Sequence, residues 1–284
     1  MCKNIVILAA GMSSRMKKSL AASNTNEVDH VNIGLLNKAL IKLGKENRPF
    51  LDYLLFNIEK AGYENIYLVV GENADEFKKF YGKKERNNSY KSLNISYAVQ
   101  YIPENHQKPL GTADALMQLL DQHPKLINDS FTVCNADNLY SIEALKGIRQ
   151  VVNPNAFIAF DRDGLDFPLD RISKFALTVL DENLFLIDII EKPQQSFLEE
   201  YQNKMGAFYV SMNLWKLQGS EILPYLKSCP INSERNEKEL PTAILNMIIK
   251  SSTKVKALHF RQHVPDLTSE ADISILQKNI SDFF

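Results

Sequence analysis

Short apolar runs recur along the chain: NIVILA (4–9), NIYLVVG (65–71), FTVCNA (131–136), AFIAF (156–160) and GAFYVSM (206–212). Each is apolar at consecutive positions rather than alternate ones. Strands of that kind are buried on both faces, as in the centre of a covered sheet. Between the runs, apolar residues recur at helical spacing. Residues 50–61 (FLDYLLFNIEKA) predict a helix that stops at Gly62, a residue suited to the position just past a helix end. Residues 112–120 and 142–152 predict two more helices. Strand and helix in alternation predict an α/β fold: a Rossmann-like central sheet, mixed but mainly parallel, flanked by helices on both faces. The stretch ISKFALTVLDENLFLIDIIEKP (172–193) instead predicts two strands joined by a turn at Asp181-Glu182-Asn183, which makes the second half of the sheet mixed. Residues 269–284 predict a closing helix.

One segment breaks the pattern. Residues 17–36 (KKSLAASNTNEVDHVNIGLL) are polar, rich in Asn and Ser, and without clear periodicity. Loops beyond about 15 residues are usually functional or disordered, so this one reads as a mobile insertion that could close over a ligand. The chain of 284 residues otherwise reads as one domain over 1–284. No internal repeat is present, and no hexapeptide pattern announces a C-terminal β-helix domain.

Composition narrows the function classes. Apolar residues make up 45% and charged residues 24%, ordinary values for a protein with a real core. A net charge of −1 gives no reason to expect a nucleic-acid or membrane surface. The cysteines, Cys2, Cys134 and Cys229, are odd in number and far apart, which suits a reducing cytoplasm rather than a disulfide framework. No window approaches the ~18 consecutive apolar residues of a membrane helix. Length and composition leave monomer and homo-oligomer both open.

The first run ends in LAAGMSSRM (8–16). In an open α/β sheet, ligands bind beyond the carboxyl ends of the strands. Small residues there let backbone N–H groups approach a ligand, and successive N–H groups form a concavity for anions. Arg15 adds a fork-shaped permanent cation for phosphate oxygens. Neither a Walker loop nor a Gly-x-Gly-x-x-Gly fingerprint is present, which leaves a different triphosphate loop or a plain tight turn. A second run, FTVCNADNLYS (131–141), delivers Asp137 to the same edge of the sheet. A hard cation such as Mg²⁺ takes one or two carboxylates plus substrate phosphates.

LAAGMSSRM resembles the signature loop, Leu-Ala-Ala/Gly-Gly-x-x-x-Arg-Met/Leu, of the sugar-1-phosphate nucleotidyltransferases. Other motifs resemble that family in its own order over nearly the whole chain. The resemblance implies the nucleotide-diphospho-sugar transferase fold. It also implies a nucleoside triphosphate and a phosphorylated small molecule as substrates, with Mg²⁺ as cofactor. Leu8, Ala9, Ala10 and Gly11 would then hold the nucleotide, and Arg15 would grip the triphosphate. LNKALIKLG (36–44) resembles the family's Pro-Lys-Pro/Ala-Leu segment, with Asn37 in place of proline and Lys38 facing the phosphates. QYIPENHQKPLGTADAL (100–116) resembles the base-reading segment, implying Gln100 or its rival Gln107 at the base edge, with Gly111 and Thr112 beside it. Asp137 would hold the metal, with Asn138 beside it at the acceptor. HVPDLTSEADI (263–273) resembles the second carboxylate segment, which implies Asp266 as the other metal ligand. Here Val264 replaces a tryptophan and the usual glycine is missing. IIEKP (189–193) resembles Glu-Lys-Pro, with Glu191 on the sugar and Lys192 on its phosphate. Gly206 opens the strand that would line the acceptor pocket.

The implied reaction is in-line attack of a sugar 1-phosphate oxygen on the α-phosphorus, with UTP or dTTP favoured and pyrophosphate leaving. A glutamine at the base edge is what favours uracil or thymine. Three alternatives stand beside it. One is a cytidylyltransferase acting on an alcohol phosphate such as phosphocholine, and one is a catalytically inactive regulatory homologue. The third, a glycosyltransferase of similar fold, would typically present Asp-x-Asp, whereas NADN (135–138) offers a single carboxylate.

Overall fold

The computed structural model describes residues 1–11, 16, 37–172, 175–190 and 206–280. The expected insertion over 17–36 lies outside them, and so do the last four residues of the expected closing helix. In chain order the strands are β1 (Asn4–Leu8), β2 (Lys42–Leu43), β3 (Arg48–Pro49), β4 (Asn65–Gly71), β5 (Asn88–Tyr90) and β6 (Leu93–Gln100). They continue with β7 (Ser130–Asn135), β8 (Ala156–Asp161), β9 (Leu177–Leu180), β10 (Leu186–Ile190), β11 (Tyr209–Gln218) and β12 (Lys256–Phe260). The described α-helices are α1 (Phe50–Lys60), α2 (Asp75–Tyr81), α3 (Thr112–Gln122), α4 (Ile142–Gln150), α5 (Leu169–Ile172), α6 (Gly219–Lys227), α7 (Leu240–Ser251) and α8 (Glu270–Asn279).

β2 and β3 pair separately as a two-stranded sheet, and a ten-stranded sheet runs β10-β9-β11-β7-β1-β4-β6-β5, with β8 beside β11 and β12 beside β8. Its centre, β7-β1-β4-β6, is parallel. β11 runs antiparallel to both β7 and β8, and β9–β10 is the anticipated antiparallel hairpin. The sheet is therefore the mixed one the sequence implies, with a parallel core. Among the described residues, no helix is long and apolar enough to cross a membrane. All three cysteines are buried free thiols.

The consecutive apolar runs are explained by helices on both faces. On one face Ile5, Ile7, Ile66 and Leu68 pack with Leu54 and Ile58 of α1 and with Leu145 and Ile148 of α4. On the other, Val6, Val69, Val133 and Trp215 pack with Leu116 and Leu119 of α3, Ile222 of α6 and Ile244 of α7. Alternate residues of each strand thus serve opposite cores, and the few polar residues buried among them, such as Thr132 beside the Tyr63 hydroxyl at 2.8 Å, have hydrogen-bond partners. Gly62 follows α1 with φ 87°, and its N–H reaches the Glu59 carbonyl at 2.9 Å. A side chain would be strained there.

The structure shifts one expected strand. The run at 206–212 predicts a strand from Gly206, whereas β11 spans Tyr209–Gln218. Asn213 interrupts it with φ 58°, at the point where the pairing with β8 slips. The Met212 carbonyl freed by this bulge accepts from the buried Tyr140 hydroxyl at 2.6 Å. Polar Lys216 then continues the strand although it is only 6% exposed, because its ammonium donates to the Val151 carbonyl at 2.7 Å.

Candidate active site

β1 lies between β4 and β7, so the chain turns to opposite sides of β1 as it builds the sheet. The crevice beyond the carboxyl ends of β1 and β7 is therefore a topological switch point, the place where such sheets bind ligands. Leu8 and Asn135 face each other in register there. Beyond them the Ala136 N–H donates to the Leu8 carbonyl at 3.1 Å, and the Ala9 N–H to the Val69 carbonyl at 2.8 Å. A cavity of about 340 Å³ opens at this edge. Leu8, Ala9, Ala10 and Gly11 line it, and so do Lys38, Gln100, Gly111, Thr112 and Asp137. Nine of the anticipated site residues thus meet in one space.

Lys38 sits at the start of a short 3₁₀ turn (Lys38–Leu40) whose next residues, Ala39 and Leu40, are buried. Asn37 caps that turn. Its side-chain oxygen accepts from the Ala39 N–H at 3.0 Å, and its amide nitrogen donates to the Ala9 carbonyl at 2.6 Å. A proline in this place could do neither, so the departure from the family pattern is a clip that ties the lysine segment to the loop after β1. The Lys38 ammonium donates to Asp137 Oδ2 at 2.9 Å, with both side chains largely buried.

Gln100 ends β6 and is 3% exposed. Its amide nitrogen donates to the Gly111 carbonyl at 3.0 Å and to Asp114 Oδ2 at 2.9 Å. Both N–H bonds are spent inside the protein, so the carbonyl oxygen is the atom left for a ligand. Asp114 is held in turn by the Gln118 amide at 2.9 Å. Gln107, the rival, is exposed and does not line the cavity. Gly111 precedes α3 with φ 94°, and a Cβ there would meet the Lys238 carbonyl oxygen at 2.8 Å. Thr112 does not cap α3. It is the first helical residue, and its hydroxyl accepts from the Leu240 N–H at 2.9 Å. The 237–240 segment thereby forms a wall, fastened by Lys108 Nζ to Glu237 Oε1 at 2.7 Å.

Asp137 and Asp266 are brought together by backbone. Asn138 and Asp266 form an antiparallel bridge, with the Leu267 N–H on the Asp137 carbonyl and the Leu139 N–H on the Pro265 carbonyl, both at 2.8 Å. Val264 and Leu267, on either side of Asp266, are fully buried, so the residue that replaces the family's tryptophan fills the core. Asp266 Oδ2 accepts from the Thr268 hydroxyl at 2.6 Å and from Arg171 Nη2 at 2.7 Å. Burial holds the Asp266 carboxyl above its ordinary range and the negative charge of Asp137 adds to this, with Thr268 and Arg171 offsetting only part. Asp137 lines the cavity, whereas Asp266 is not among the lining residues. Two neighbouring carboxylates that repel each other suit a hard divalent cation. Among the described residues no cluster of three or more His, Cys, Asp or Glu side chains forms, so such a cation would draw its remaining ligands from substrate and water.

Arg15, Glu191 and Lys192 lie outside the described residues. Asn138 is 4% exposed and stands behind the cavity rather than along it. Gly206, with φ 71°, is exposed and is not among the lining residues. Sequence reasoning missed Asn37 as a clip, Asp114 as the anchor of Gln100, and Lys108, Glu237 and Arg171. Asp114 was within reach, since it lies inside the quoted GTADAL. The partners of Lys108 and Arg171 are roughly a hundred or more residues away and leave no local signal.

Similarity to known proteins agrees with this architecture. Residues 34–248 match the family model described as nucleotidyl transferase. The chain is 25% identical over 101 residues to a D-glycero-alpha-D-manno-heptose 1-phosphate guanylyltransferase of Aneurinibacillus thermoaerophilus, covering 36% of this chain and 38% of that protein. It is 21% identical to a glucose-1-phosphate adenylyltransferase of Bacillus thuringiensis, covering 97% of this chain and 68% of that protein. The fold matches a UDP-glucose pyrophosphorylase complexed with UDP-glucose, with TM-score 0.69 at 17% identity and all of both chains covered. It also matches a putative glucose-1-phosphate thymidylyltransferase from Bacillus anthracis, with TM-score 0.66 at 18% identity, covering 99% and 96% of the two chains. The chain belongs to the nucleotidyl transferase family, the sugar-1-phosphate nucleotidyltransferases whose motifs it carries.

Proposed function

We propose that this protein transfers a nucleotidyl group from a nucleoside triphosphate, UTP or dTTP by preference, to a sugar 1-phosphate, with pyrophosphate leaving. The observation that carries this reading is the Lys38–Asp137 pair sharing one cavity with Gln100 and Gly111 at the sheet's switch point. The relatives named above use different bases, so the base preference rests on Gln100 alone. With its nitrogen held by Asp114, Gln100 offers an acceptor to the ligand, which suits the N3–H of uracil or thymine.

Two anionic reactants repel each other, and the chain answers with position and charge. The backbone of Leu8–Gly11 would cradle the triphosphate. Lys38 would neutralise the reacting phosphates, and by resemblance Arg15 and Lys192 would do the same on either side of it. Asp137 and Asp266 would hold Mg²⁺. When bound there, the ion would supply Lewis-acid stabilisation of charge on the phosphate oxygens. A phosphate oxygen is already nucleophilic at neutral pH, so no general base is required.

The test is product identification by mass spectrometry. Purified protein is incubated with Mg²⁺, each common triphosphate and either a mixture of hexose 1-phosphates or phosphocholine. A uridine or thymidine diphosphate sugar plus pyrophosphate is expected. Pyrophosphate only with phosphocholine, or none with any pair, would overturn the reading.

A further inference from the structure

The Arg171 guanidinium bridges two carboxylates from a segment about a hundred residues away. Nη2 donates to Asp266 Oδ2 and Nη1 to Asp272 Oδ1, each at 2.7 Å. Its plane lies over the Phe167 ring, 4.4 Å from the centroid. Phe167 is wedged edge-on against Phe175 and His263. Asp272 is itself fixed, with Oδ2 accepting from the Thr268 and Ser269 N–H groups at 2.9 and 2.7 Å at the start of α8. The arginine is therefore clamped on three sides and has one orientation in which to meet Asp266.

That orientation matters because both donors to Asp266, Arg171 and Thr268, end on the same oxygen, Oδ2. Asp137 is arranged alike, with Lys38 on its Oδ2. Each carboxylate is tied back through one oxygen. Oδ1 of each is left without a recorded donor among the described residues. We infer that Arg171 is a positioning residue for the second metal carboxylate: it anchors Asp266 through Oδ2 so that Oδ1 is presented beside Asp137. The inference rests on the reading of Asp137 and Asp266 as metal ligands. Without Arg171, only the Thr268 hydroxyl would hold Asp266 against the repulsion of Asp137, and the carboxylate would turn away. Groups that orient metal ligands typically change metal affinity about 10–100-fold when removed.

The experiment titrates Mn²⁺ alone into the full chain, reading free Mn²⁺ by electron paramagnetic resonance. A thermal melt is taken of every variant. Asp137→Asn should abolish the saturable site. Arg171→Gln should weaken it about 10–100-fold, and Arg171→Lys, which can reach only one carboxylate, should fall between. Asp272→Asn should lower the melting temperature while leaving Mn²⁺ affinity near wild type, since Arg171 keeps its bond to Asp266. Wild-type affinity in Arg171→Gln overturns the positioning role. So do affinity losses in Arg171→Gln and Asp272→Asn that simply follow their losses of melting temperature. If Arg171→Gln does not fold, Arg171→Lys decides: unchanged affinity at unchanged melting temperature overturns the role. Equal binding by wild type and Asp137→Asn, or no saturable binding by wild type, overturns the metal reading and this inference with it.

Discussion

The Lys38 ammonium and the Asp137 carboxylate, 99 positions apart in sequence, meet at 2.9 Å on the wall of the cavity. The Asn37-capped turn places Lys38 and the segment just past β7 places Asp137, so both stand at the cavity before an anion arrives. Preorganised charge contacts of this kind are commonly worth about 10²–10³ in turnover. Lys38→Ala should slow pyrophosphate release by that factor, and Asp137→Asn should reduce it to background. A coupled pyrophosphate assay measures both. Near wild-type rates in either variant would remove the pair from the chemistry.

Asp114 fixes which way the Gln100 amide is turned at the cavity. Its carboxylate can only accept, so it holds the amide nitrogens of Gln100 and Gln118 at 2.9 Å. Asp114→Asn offers a donor as well and lets the Gln100 amide turn over. The ratio of kcat/KM for UTP over CTP should then fall, because a turned amide donates to the N3 of cytosine. Steady-state kinetics with the two triphosphates checks this. An unchanged ratio would detach Gln100 from base selection.

Three histidines give the fold a pH dependence. Burial lowers the pKa of His123, His259 and His263 below the ordinary value. His123 Nε2 lies 2.8 Å from the Tyr97 carbonyl, an acceptor, so the neutral ring carries its proton there. A depressed folded pKa means that the unfolded chain takes up protons first as pH falls. Stability is then fully present above about pH 6.5 and is lost as pH falls below it. Urea unfolding should show lower stability at pH 5.5 than at pH 7.5, with a smaller loss in His123→Gln. Equal stability at the two values would contradict the sign.

Legibility in the sequence followed the range of the interactions. The runs at 65–71 and 131–136 reappear as β4 and as β7, within a residue at each end, because two buried faces favour consecutive apolar residues. β12 (KALHF) and α7 were not anticipated. In β12, His259 alternates with apolar residues, and α7 begins on the proline-bearing Leu240-Pro241 pair. Asp137 could be read from its place at the end of a buried apolar run, and Lys38 and Gln100 from the family motifs that their segments resemble. The partners that orient them could not. Arg171 is an ordinary basic residue in sequence and acquires its role only when α5 is folded against the 263–272 segment. Asn37 was read as a departure from the family pattern, and three-dimensional contact with Ala9 is what turns it into a clip.

Gly111 joins the cavity wall to the fold at a point where any side chain is strained. Its φ of 94° lies in the region that L-residues avoid. An added Cβ would also stand 2.8 Å from the Lys238 carbonyl oxygen and 2.9 Å from Glu237 Cβ. The obstacle is partly backbone, and that backbone is committed: the Lys238 carbonyl accepts from the Ala113 N–H at 2.9 Å, and the Lys238 N–H donates to the Leu110 carbonyl at 2.5 Å. Relief would push the 237–240 wall outward and loosen the Lys108–Glu237 contact. Gly111→Ala should therefore cost about 1–3 kcal/mol in urea unfolding, the usual range for a residue forced into a disfavoured conformation. It should also raise KM for the triphosphate more than it lowers kcat, since Lys38 and Asp137 are untouched. Ser at this position should behave like Ala. Wild-type stability and KM in both variants would mean that the wall yields freely and that the glycine is not needed to shape the base pocket.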